Sequence, residues 1–286
     1  MSLQVAVVGS ATLDHVVIGE VSHFKWGGVP VYGGLAFNRM GLSTGVLTNI
    51  AARDRAIVHL LSNAGISVET GNTDFTTEFV NHVSGDERQQ ELLARATPIS
   101  ETQLNRTAAN VDHVHLGPLH PMDIEPQALQ ALQEVERVSI DIQGYTRSVD
   151  GTDVLPGVSE HLPSALAQAH VVTASRDETE AVVGFYGAEL PAIMKEHRVE
   201  QWLTTDGESG GWLLTRGGQR HDYRAAQVER VVDPTGAGDV FFAAYLSHHI
   251  YEDMSIDEAL NRAAAVTARQ VEGRFIAADE LSRVQD

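Results

Sequence analysis

Residues 231–245 of the chain read Val-Val-Asp-Pro-Thr-Gly-Ala-Gly-Asp-Val-Phe-Phe-Ala-Ala-Tyr. This stretch predicts the end of an apolar strand, a glycine turn at Gly236 and Gly238, and a helix whose first turn holds Asp239. Glycines let consecutive amide N–H groups converge on an anion, and a helix N-terminus adds partial positive charge. The pattern therefore indicates a phosphoryl site beside which Asp239 accepts the proton of an attacking hydroxyl. The alternative is a plain tight turn in which Asp239 only interacts favourably with the helix dipole.

Short apolar runs alternate with helical patterns over most of the chain before this stretch. The strand-like runs are Val5–Val8, Val46–Ile50, Val111–Leu116, Val138–Ile142, Val171–Thr173 and Trp202–Thr205. The helix-like runs are Pro30–Met40, Arg53–Asn63, Pro126–Glu136, Asp177–Phe185 and Ser255–Val271. Strands that are apolar on both faces and separated by helices predict an α/β fold with a doubly wound, mostly parallel sheet flanked by helices. A chain of 286 residues favours one domain over residues 1–286.

Residues 15–26 and 73–93 depart from this alternation. Polar and apolar residues interleave in both segments, as they do in a sheet with one solvent-exposed face. We expect the two segments to form a small β-lid over a site, and an ordinary hairpin excursion is the alternative. A homodimer through this lid is a further expectation.

Composition restricts the class of partner. The formal net charge of −19 argues against nucleic acid and against anionic membranes, because a field of that sign repels phosphates. No apolar stretch approaches the length of a membrane span and no signal peptide is recognised, so we expect a cytoplasmic protein. The chain has no cysteine, which excludes disulfides and thiolate chemistry. His113, His115 and His120 are spaced as zinc ligands could be, although hydrogen-bonded histidines are much commoner.

Residues 233–246, Asp-Pro-Thr-Gly-Ala-Gly-Asp-Val-Phe-Phe-Ala-Ala-Tyr-Leu, resemble the C-terminal signature of the ribokinase, or PfkB, family of carbohydrate kinases. The resemblance implies a ribokinase-like fold, ATP and Mg²⁺ as cofactors, and a monovalent cation such as K⁺. It implies that Asp239 is the catalytic base and that the amides of Gly236, Ala237 and Gly238 form the anion hole. It also places Asp233 and Thr235 near the monovalent cation and the phosphates.

Two segments near the N-terminus are similar to the acceptor side of this family. Val8-Gly-Ser-Ala-Thr-Leu-Asp14 resembles the first strand with the aspartate that binds substrate hydroxyls, which implies that role for Asp14. Gly27 and Gly28 resemble the di-glycine that lets substrate approach the backbone. Tyr32 stands where many sugar kinases of the family have asparagine, which puts recognition of a ribose-like acceptor in doubt.

Two later segments are similar to the donor side of the family. Thr205-Asp-Gly-Glu-Ser-Gly210 resembles the strand and loop that carry the phosphates and ribose of the nucleotide, which implies contacts from Thr205, Gly207 and Gly210. The magnesium-ordering Asn-x-x-Glu of the family aligns with Ser175-Arg-Asp-Glu178, so the glutamate is present and the asparagine is not. Residues three apart share a helix face, so Ser175 and Glu178 could act together on Mg²⁺. Ala264 is small enough to let an adenine ring pass, although helix packing also selects alanine.

Four further residues are candidates for acceptor binding. Phe79 and Asn81 lie in the expected lid, where they could close over the acceptor. Arg88 and Arg147 are the cations to consider for phosphate or substrate contact, and surface ion pairs are the alternative for both. Arg147 ends Asp141-Ile-Gln-Gly-Tyr-Thr-Arg147, which follows a strand end, the usual edge for ligand contacts in such sheets.

The leading hypothesis is transfer of a phosphoryl group from ATP to a hydroxyl of a small sugar or polyol. A nucleoside or inositol acceptor is the alternative within the enzymes, because Tyr32 and Phe79 could stack on a ring. A non-catalytic ligand-binding relative is the alternative outside them, but the base and the anion hole are both present. A Rossmann dehydrogenase and a Walker-type NTPase are disfavoured because the chain lacks both glycine motifs.

Overall fold

The structure is a computed structural model that describes residues 3–84 and 87–283. Of residues 83, 84, 87 and 88 it describes the backbone only. In chain order its strands are β1 (Leu3–Gly9), β2 (Thr12–Ile18), β3 (Val21–Gly27), β4 (Thr44–Leu47), β5 (Ser67–Glu69), β6 (Thr77–Ser84), β7 (Glu87–Ala94), β8 (Val111–Gly117), β9 (Arg137–Asp141), β10 (Arg147–Asp150), β11 (Asp153–Pro156), β12 (Val171–Ser175), β13 (Gln201–Thr205), β14 (Gly211–Thr215) and β15 (Arg220–Tyr223).

The α-helices are α1 (Val29–Arg39), α2 (Ala56–Asn63), α3 (Glu101–Ala108), α4 (Leu162–Leu166), α5 (Arg176–Tyr186), α6 (Leu190–His197), α7 (Ala237–Leu246) and α8 (Ile256–Val271). A π-helical turn over Ser247–Tyr251 extends α7, and 3₁₀ turns lie at Ala52–Asp54, Pro126–Leu132, Gln143–Thr146 and Gly207–Ser209. In the described part of the chain, no helix is long and apolar enough to cross a bilayer.

A nine-stranded sheet forms the centre of the molecule, in the order β15-β14-β13-β12-β9-β8-β1-β4-β5. Pairing is parallel from β13 through to β5, whereas β14 and β15 add to the edge in antiparallel pairs. The prediction of a mostly parallel α/β sheet flanked by helices is confirmed. The two antiparallel edge strands were not predicted, because Gly211–Thr215 and Arg220–Tyr223 are short and amphipathic.

The two faces of this sheet are buried by different helices. In β1, Val5 and Val7 belong to a core with α1, α2, α7 and α8, whereas Ala6 and Val8 belong to the opposite core with α3 to α6. Strand side chains alternate between faces, so a strand covered on both sides is apolar throughout. This burial explains the uninterrupted run Val5-Ala-Val-Val8.

One predicted helix has a different form. The segment predicted as a helix over Pro126–Glu136 is a 3₁₀ helix over Pro126–Leu132. Its sequence repeats every three residues, as Gln127-Ala-Leu129 and then Gln130-Ala-Leu132. A period of three stacks Leu129 over Leu132 in a 3₁₀ helix, and both are buried at 2% exposure.

A second, six-stranded sheet has the order β10-β11-β7-β6-β2-β3. It joins the two segments expected to form a lid through the parallel pair of β2 and β6. The hairpin of β10 and β11 extends it through a pair between Asp153 and Glu91, an addition that the sequence did not predict. Exposed apolar side chains on this sheet are Ile18, Val21, Leu93 and Leu155, and a homodimer through it stays a prediction.

Candidate active site

The candidate site lies at the carboxyl ends of the parallel strands. Gly9 ends β1 beside Gly117 at the end of β8, and Ser175 ends β12 beside Thr205 at the end of β13. A Cβ atom on Gly9 would lie 2.1 Å from the carbonyl oxygen of Gly117, so glycine is needed for this close approach. Ligands of open α/β sheets bind at this edge.

The turn before α7 has the conformation that the motif predicts. Gly236 has φ of +72°, in the left-handed region, and is the N-cap of α7. Its carbonyl accepts a hydrogen bond from the amide of Val240 at 2.9 Å, which closes the first helical turn. The amides of Ala237 and Gly238 lie among the first N–H groups of the helix, which have no intrahelical acceptor, and the amide of Ala237 donates to the carbonyl of Pro234 at 3.2 Å.

Tyr32 lies directly beneath this turn. A Cβ atom on Gly236 would be 2.2 Å from the Cδ1 and Cγ atoms of Tyr32, whose side chain is only 2% exposed. Since Tyr32 is in the first turns of α1, the N-terminal ends of α1 and α7 meet at this contact. The structure places Tyr32 in the core as a support for the turn and does not place its ring over an open acceptor site.

Asp239 lies in the first turn of α7 and is partly buried. Its pKa is raised to about 7. Burial is the main cause, attraction to Arg147 lowers the pKa, and repulsion from Asp14 raises it. The predicted base, the predicted acceptor aspartate and one predicted arginine therefore interact electrostatically. A carboxyl with a pKa near neutrality is suited to exchange a proton at physiological pH.

The predicted acceptor residues share one face of the second sheet. Asp14 in β2 pairs with Lys25 in β3 and with Phe79 in β6, and paired residues point to the same side. Asn81, two residues after Phe79, lies on that side as well. All four are buried, with exposed fractions of 7% for Asp14, 4% for Lys25, 1% for Phe79 and 3% for Asn81.

Two glycines bring the backbone close to this face. A Cβ atom on Gly27 would lie 2.3 Å from Oδ2 of Asp14, and one on Gly28 would lie 2.1 Å from the carbonyl oxygen of Ser10. Gly28 also has φ of +86° and begins α1 as its N-cap. The di-glycine thus leaves room for Asp14. Asn81 accepts a hydrogen bond from Nε2 of Gln90 at 2.8 Å through its Oδ1 atom.

Of the two predicted arginines, Arg147 interacts with the acids of the site. Arg147 begins β10 and is partly buried, and its charge lowers the pKa values of both Asp239 and Asp141. Arg147 is therefore part of the site. The side chain of Arg88 lies outside the described residues.

Asp141, at the end of β9, is a site residue that the sequence prediction did not include. Burial raises its pKa well above the usual range, and repulsion from Glu178 and Asp239 raises it further. Its Oδ1 atom accepts a hydrogen bond from the amide of Gln143 at 2.8 Å. Its position directly after a buried strand run was the available signal.

The predicted magnesium residues form a helix cap. Oγ of Ser175 accepts from the amide of Glu178 at 3.2 Å, and Oε2 of Glu178 accepts from the amide of Ser175 at 2.7 Å. This reciprocal pair is a capping box that begins α5. In the part of the chain that the structure describes, no three His, Asp or Glu side chains form a metal cluster. Mg²⁺ commonly takes one or two carboxylates plus substrate phosphates, so Glu178 with neighbouring Asp141 fits it.

The predicted donor loop follows β13. Gly207 has φ of +51° and Gly210 has φ of +92°, and a Cβ atom on Gly210 would lie 2.3 Å from the carbonyl oxygen of Tyr223. Asp206 in this loop forms an ion pair with Arg176 at the start of α5, with 2.5 Å between Oδ2 and Nη2. Thr205 thus lies beside the Ser175 cap. Ala264 is 6% exposed and belongs to the core between α7 and α8, away from open surface.

Lys25 is a second residue that the sequence prediction missed. Its Nζ atom lies 2.9 Å from Oδ2 of Asp233 and 2.6 Å from Oγ1 of Thr235, immediately before the Gly236 turn. The chain has only two lysines, and this one lies between Phe24 and Trp26 in a strand-like segment. That placement was the only sequence signal, since 208 residues separate Lys25 from Asp233.

The histidines of β8 are hydrogen-bonded core residues. His113 Nε2 and His115 Nδ1 lie 2.7 and 3.0 Å from the same Oγ of Ser139, and His113 Nδ1 lies 3.0 Å from the hydroxyl of Tyr251. Burial lowers the pKa of His115 to about 4, so it is neutral at physiological pH. The commoner alternative, hydrogen-bonded histidine, accounts for the contacts of both residues.

Comparison with known families identifies the chain. The model of the pfkB family of carbohydrate kinases matches residues 35–275, which include Asp141, Glu178 and the whole Gly236–Asp239 turn. The chain belongs to the pfkB family. No curated protein sequence matches it significantly.

Solved structures of this family share the fold of this pfkB chain. A pyrophosphate-dependent kinase of the ribokinase family, in complex with a pyrophosphate analog and myo-inositol, superposes with a TM-score of 0.80 at 23% identity, covering 94% of this chain and 95% of its own. Arabidopsis thaliana ribokinase, complexed with ribose and ATP, has a TM-score of 0.75 at 19% identity, with 99% and 96% covered. Burkholderia thailandensis nucleoside kinase, complexed with inosine, has a TM-score of 0.75 at 18% identity, with 96% and 93% covered.

Proposed function

We propose that this pfkB chain is a kinase that transfers the γ-phosphoryl group of ATP to a hydroxyl of a small, neutral sugar or polyol. The observation that carries the proposal is Asp239, a partly buried carboxyl with a pKa of about 7 at the start of α7. It shares the first turn of α7 with the amides of Ala237 and Gly238. An acceptor hydroxyl next to Asp239 loses its proton to the carboxylate as its oxygen bonds to phosphorus.

The phosphoryl group in this proposal is bound at the N-terminus of α7. The amides of the Gly236–Gly238 turn and the partial positive charge of the helix stabilise its negative oxygens. Glu178 and Asp141 would hold Mg²⁺, which neutralises phosphate charge when it is bound. Exposed Val231 and Val232, in the segment that leads into the turn, offer apolar surface for a base and favour a nucleotide donor.

The acceptor in this proposal lies between the two sheets. Asp14 can accept hydrogen bonds from two adjacent hydroxyl groups, with Phe79 and Asn81 on the same face of the second sheet. The acidic neighbours Asp14, Asp141 and Asp239 would repel an acceptor that already carries a phosphate. Among the described residues, Arg147 is the cation that acts on Asp141 and Asp239, and the ammonium of Lys25 already contacts Asp233 and Thr235, so we expect an uncharged acceptor.

A second candidate differs in acceptor and donor. It is a cyclitol or nucleoside acceptor, with pyrophosphate as donor in the cyclitol case. The absence of the family asparagine at the position of Tyr32 favours a cyclitol over a free ribose-like sugar. A neighbour of the same fold is described with a pyrophosphate analog and myo-inositol, and another with inosine.

A two-way screen separates these functions. Each donor, ATP or pyrophosphate, is combined with ribose, fructose, myo-inositol, inosine or a sugar monophosphate, and the phosphorylated product is quantified by mass spectrometry. We expect product with ATP and a neutral sugar or polyol, and none with sugar monophosphates. The matched control is Asp239→Asn, which should bind donor but form little product. Product only with pyrophosphate would replace the donor assignment, and no product with any pair would favour the non-catalytic relative.

A further inference from the structure

Lys25 places an ammonium group against the segment that leads into the Gly236 turn. Its Nζ atom donates to Oδ2 of Asp233 at 2.9 Å and to Oγ1 of Thr235 at 2.6 Å. The lysine side chain is 6% exposed and that of Asp233 is 20% exposed, so water screens the ion pair only weakly. A buried ammonium with two oxygen partners is held in a fixed position.

The segment is held by other contacts as well. Oδ1 of Asp233 accepts from the amide of Thr235 at 2.9 Å, and the carbonyl of Thr235 accepts from Nε2 of Gln270 at 3.3 Å. Burial raises the pKa of Asp233, but attraction to Lys25 and hydrogen bonds from Thr235 and Lys25 outweigh it and lower the pKa overall. Asp233 is therefore an ionised carboxylate with Lys25 as its counter-ion.

The strand that carries Lys25 is fixed on both edges. On one side β3 pairs with β2 along its whole length. On the other side the amide of Trp26 donates to the carbonyl of Leu281 at 2.8 Å, and the amide of Arg283 donates to the carbonyl of Phe24 at 3.0 Å. The backbone of Lys25 forms an isolated antiparallel β-pair with Ser282. The ammonium is thus anchored to the body of the protein.

These contacts do not fit the monovalent cation that the family resemblance implies. Asp233 and Thr235 were expected near that ion, and an ammonium already lies against an oxygen of each side chain. A second cation placed beside Nζ would be repelled at short range in a weakly screened site. An ammonium resembles K⁺ in charge, and it binds the same kind of oxygen ligand.

We propose that Lys25 is a built-in cation that replaces the monovalent ion and holds the phosphate-binding turn in place. The chain therefore needs no K⁺ for its activity or for the shape of the turn. The catalytic part of this inference rests on the proposed kinase function, whereas the structural part does not. Lys25 acts here as a positioning residue through Asp233 and Thr235.

The first test compares cations with the wild-type protein. Phosphoryl transfer is measured in about 0.1 M KCl, NaCl, NH₄Cl or tetramethylammonium chloride, salts of equal screening strength. We expect rates within about twofold of one another, since charge screening alone differs little among them. A wild-type rate that depends strongly on K⁺ would overturn the proposal.

The second test removes the ammonium. Lys25→Ala leaves a cavity beside an ionised carboxylate, and we expect at least a roughly tenfold lower kcat in tetramethylammonium, with recovery in KCl or NH₄Cl. Lys25→Met fills the same volume without charge, so we expect the loss without the recovery. Lys195→Ala is the matched control, because Lys195 is the only other lysine of the chain and is exposed. A loss in Lys25→Ala that no small cation reverses would contradict the inference.

A melting measurement makes the structural part independent of catalysis. Without substrates, the melting temperature of Lys25→Ala should rise when K⁺ or NH₄⁺ replaces tetramethylammonium, whereas wild type and Lys195→Ala should not respond. This result would stand even if the chain proved to have no kinase activity. If the melting temperature of Lys25→Ala were the same in all four salts, Lys25 would not occupy a cation site. If Lys25→Ala did not fold, the wild-type comparison would still decide the proposal.

Discussion

Replacing Asp239 with asparagine should make the protein more stable while it removes most of the proposed kinase activity. The native state holds the proton of Asp239 up to about pH 7, whereas an ordinary aspartate releases it near 3.8. Unfolding therefore releases a proton between these pH values, and stability falls as the pH rises through that interval. Asparagine is neutral at every pH, so Asp239→Asn removes the cost of ionising a buried carboxyl.

The magnitude follows from the two pKa values. The interval from 3.8 to about 7 corresponds to at most about 4 kcal/mol, at ~1.36 kcal/mol per pH unit. Asp239 is only partly buried and solvent screens part of this energy, so we expect a gain of about 1–2 kcal/mol above pH 7. That corresponds to a melting temperature higher by about 2–6 °C for a chain of this size. At pH 5.5 the gain should be about half as large.

The assay is thermal melting of both proteins from pH 5.5 to 8.5, together with turnover at pH 7.5. We expect turnover to fall at least about a hundredfold, as for the loss of a general base. Asp177→Asn is the matched control, because Asp177 is an exposed aspartate in the first turn of α5. It should cost a little stability through the helix dipole and leave turnover unchanged. The reasoning would be refuted if Asp239→Asn were less stable than wild type at pH 8. It would also be refuted if the difference in their free energies of unfolding did not change with pH.

Three further outcomes follow from the site geometry. Gly236→Ala should reduce kcat by at least about tenfold, because it adds a clash to the strain of positive φ; Gly187→Ala, with φ of +58° and open space, should lose only about 1 kcal/mol of stability with kcat unchanged. Arg147→Met should move the acidic limb of kcat/KM to higher pH than the wild-type limb near 7, because Arg147 lowers the pKa of Asp239; an unmoved limb would remove Arg147 from the site. Acceptor binding should slow hydrogen exchange in residues 15–26 and 73–93, and protection confined to other segments would mean that the second sheet is not a lid.

The parts of the site that lie close in sequence were predictable. The turn Gly236–Gly238 and the helix that holds Asp239 depend on local features, namely the conformational freedom of glycine and the apolar run that follows. The carboxyl ends of the strands were also predictable, because apolar runs between helices imply a parallel sheet. Asp141 could have been included on the same ground.

The parts that depend on long-range packing were not predictable. Nothing near Lys25 in the sequence indicates that it pairs with Asp233, 208 residues away. Tyr32 was expected near an acceptor ring, but its contact with Gly236 arises from the packing of α1 against α7. The hairpin over residues 147–156 joined the second sheet through tertiary pairing that short polar strands do not reveal.

The segment Ser175-Arg-Asp-Glu178 shows a different limit. Its spacing matches both a magnesium motif with one substitution and a helix-capping box, and the structure contains the capping box. The two roles compete for Oγ of Ser175, which accepts a hydrogen bond from the amide of Glu178. Glu178 uses Oε2 in the cap, so its other carboxylate oxygen is what the segment offers to a metal ion, together with Asp141 at the end of β9.

Burial at this edge of the sheet is the main cause of the raised pKa of Asp239, and nearby charges modify it. Asp239 interacts electrostatically with Asp14 and Asp141, and Asp141 with Glu178, in a chain whose net charge is already −19. Burial alone would raise the pKa of Asp239, Asp14 adds to the increase, and Arg147 opposes it. A base with a pKa near 7 is half-ionised at neutral pH, where proton acceptance is most effective. Burial, with a smaller contribution from Asp14, thus gives Asp239 the proton affinity that its proposed role as a base requires.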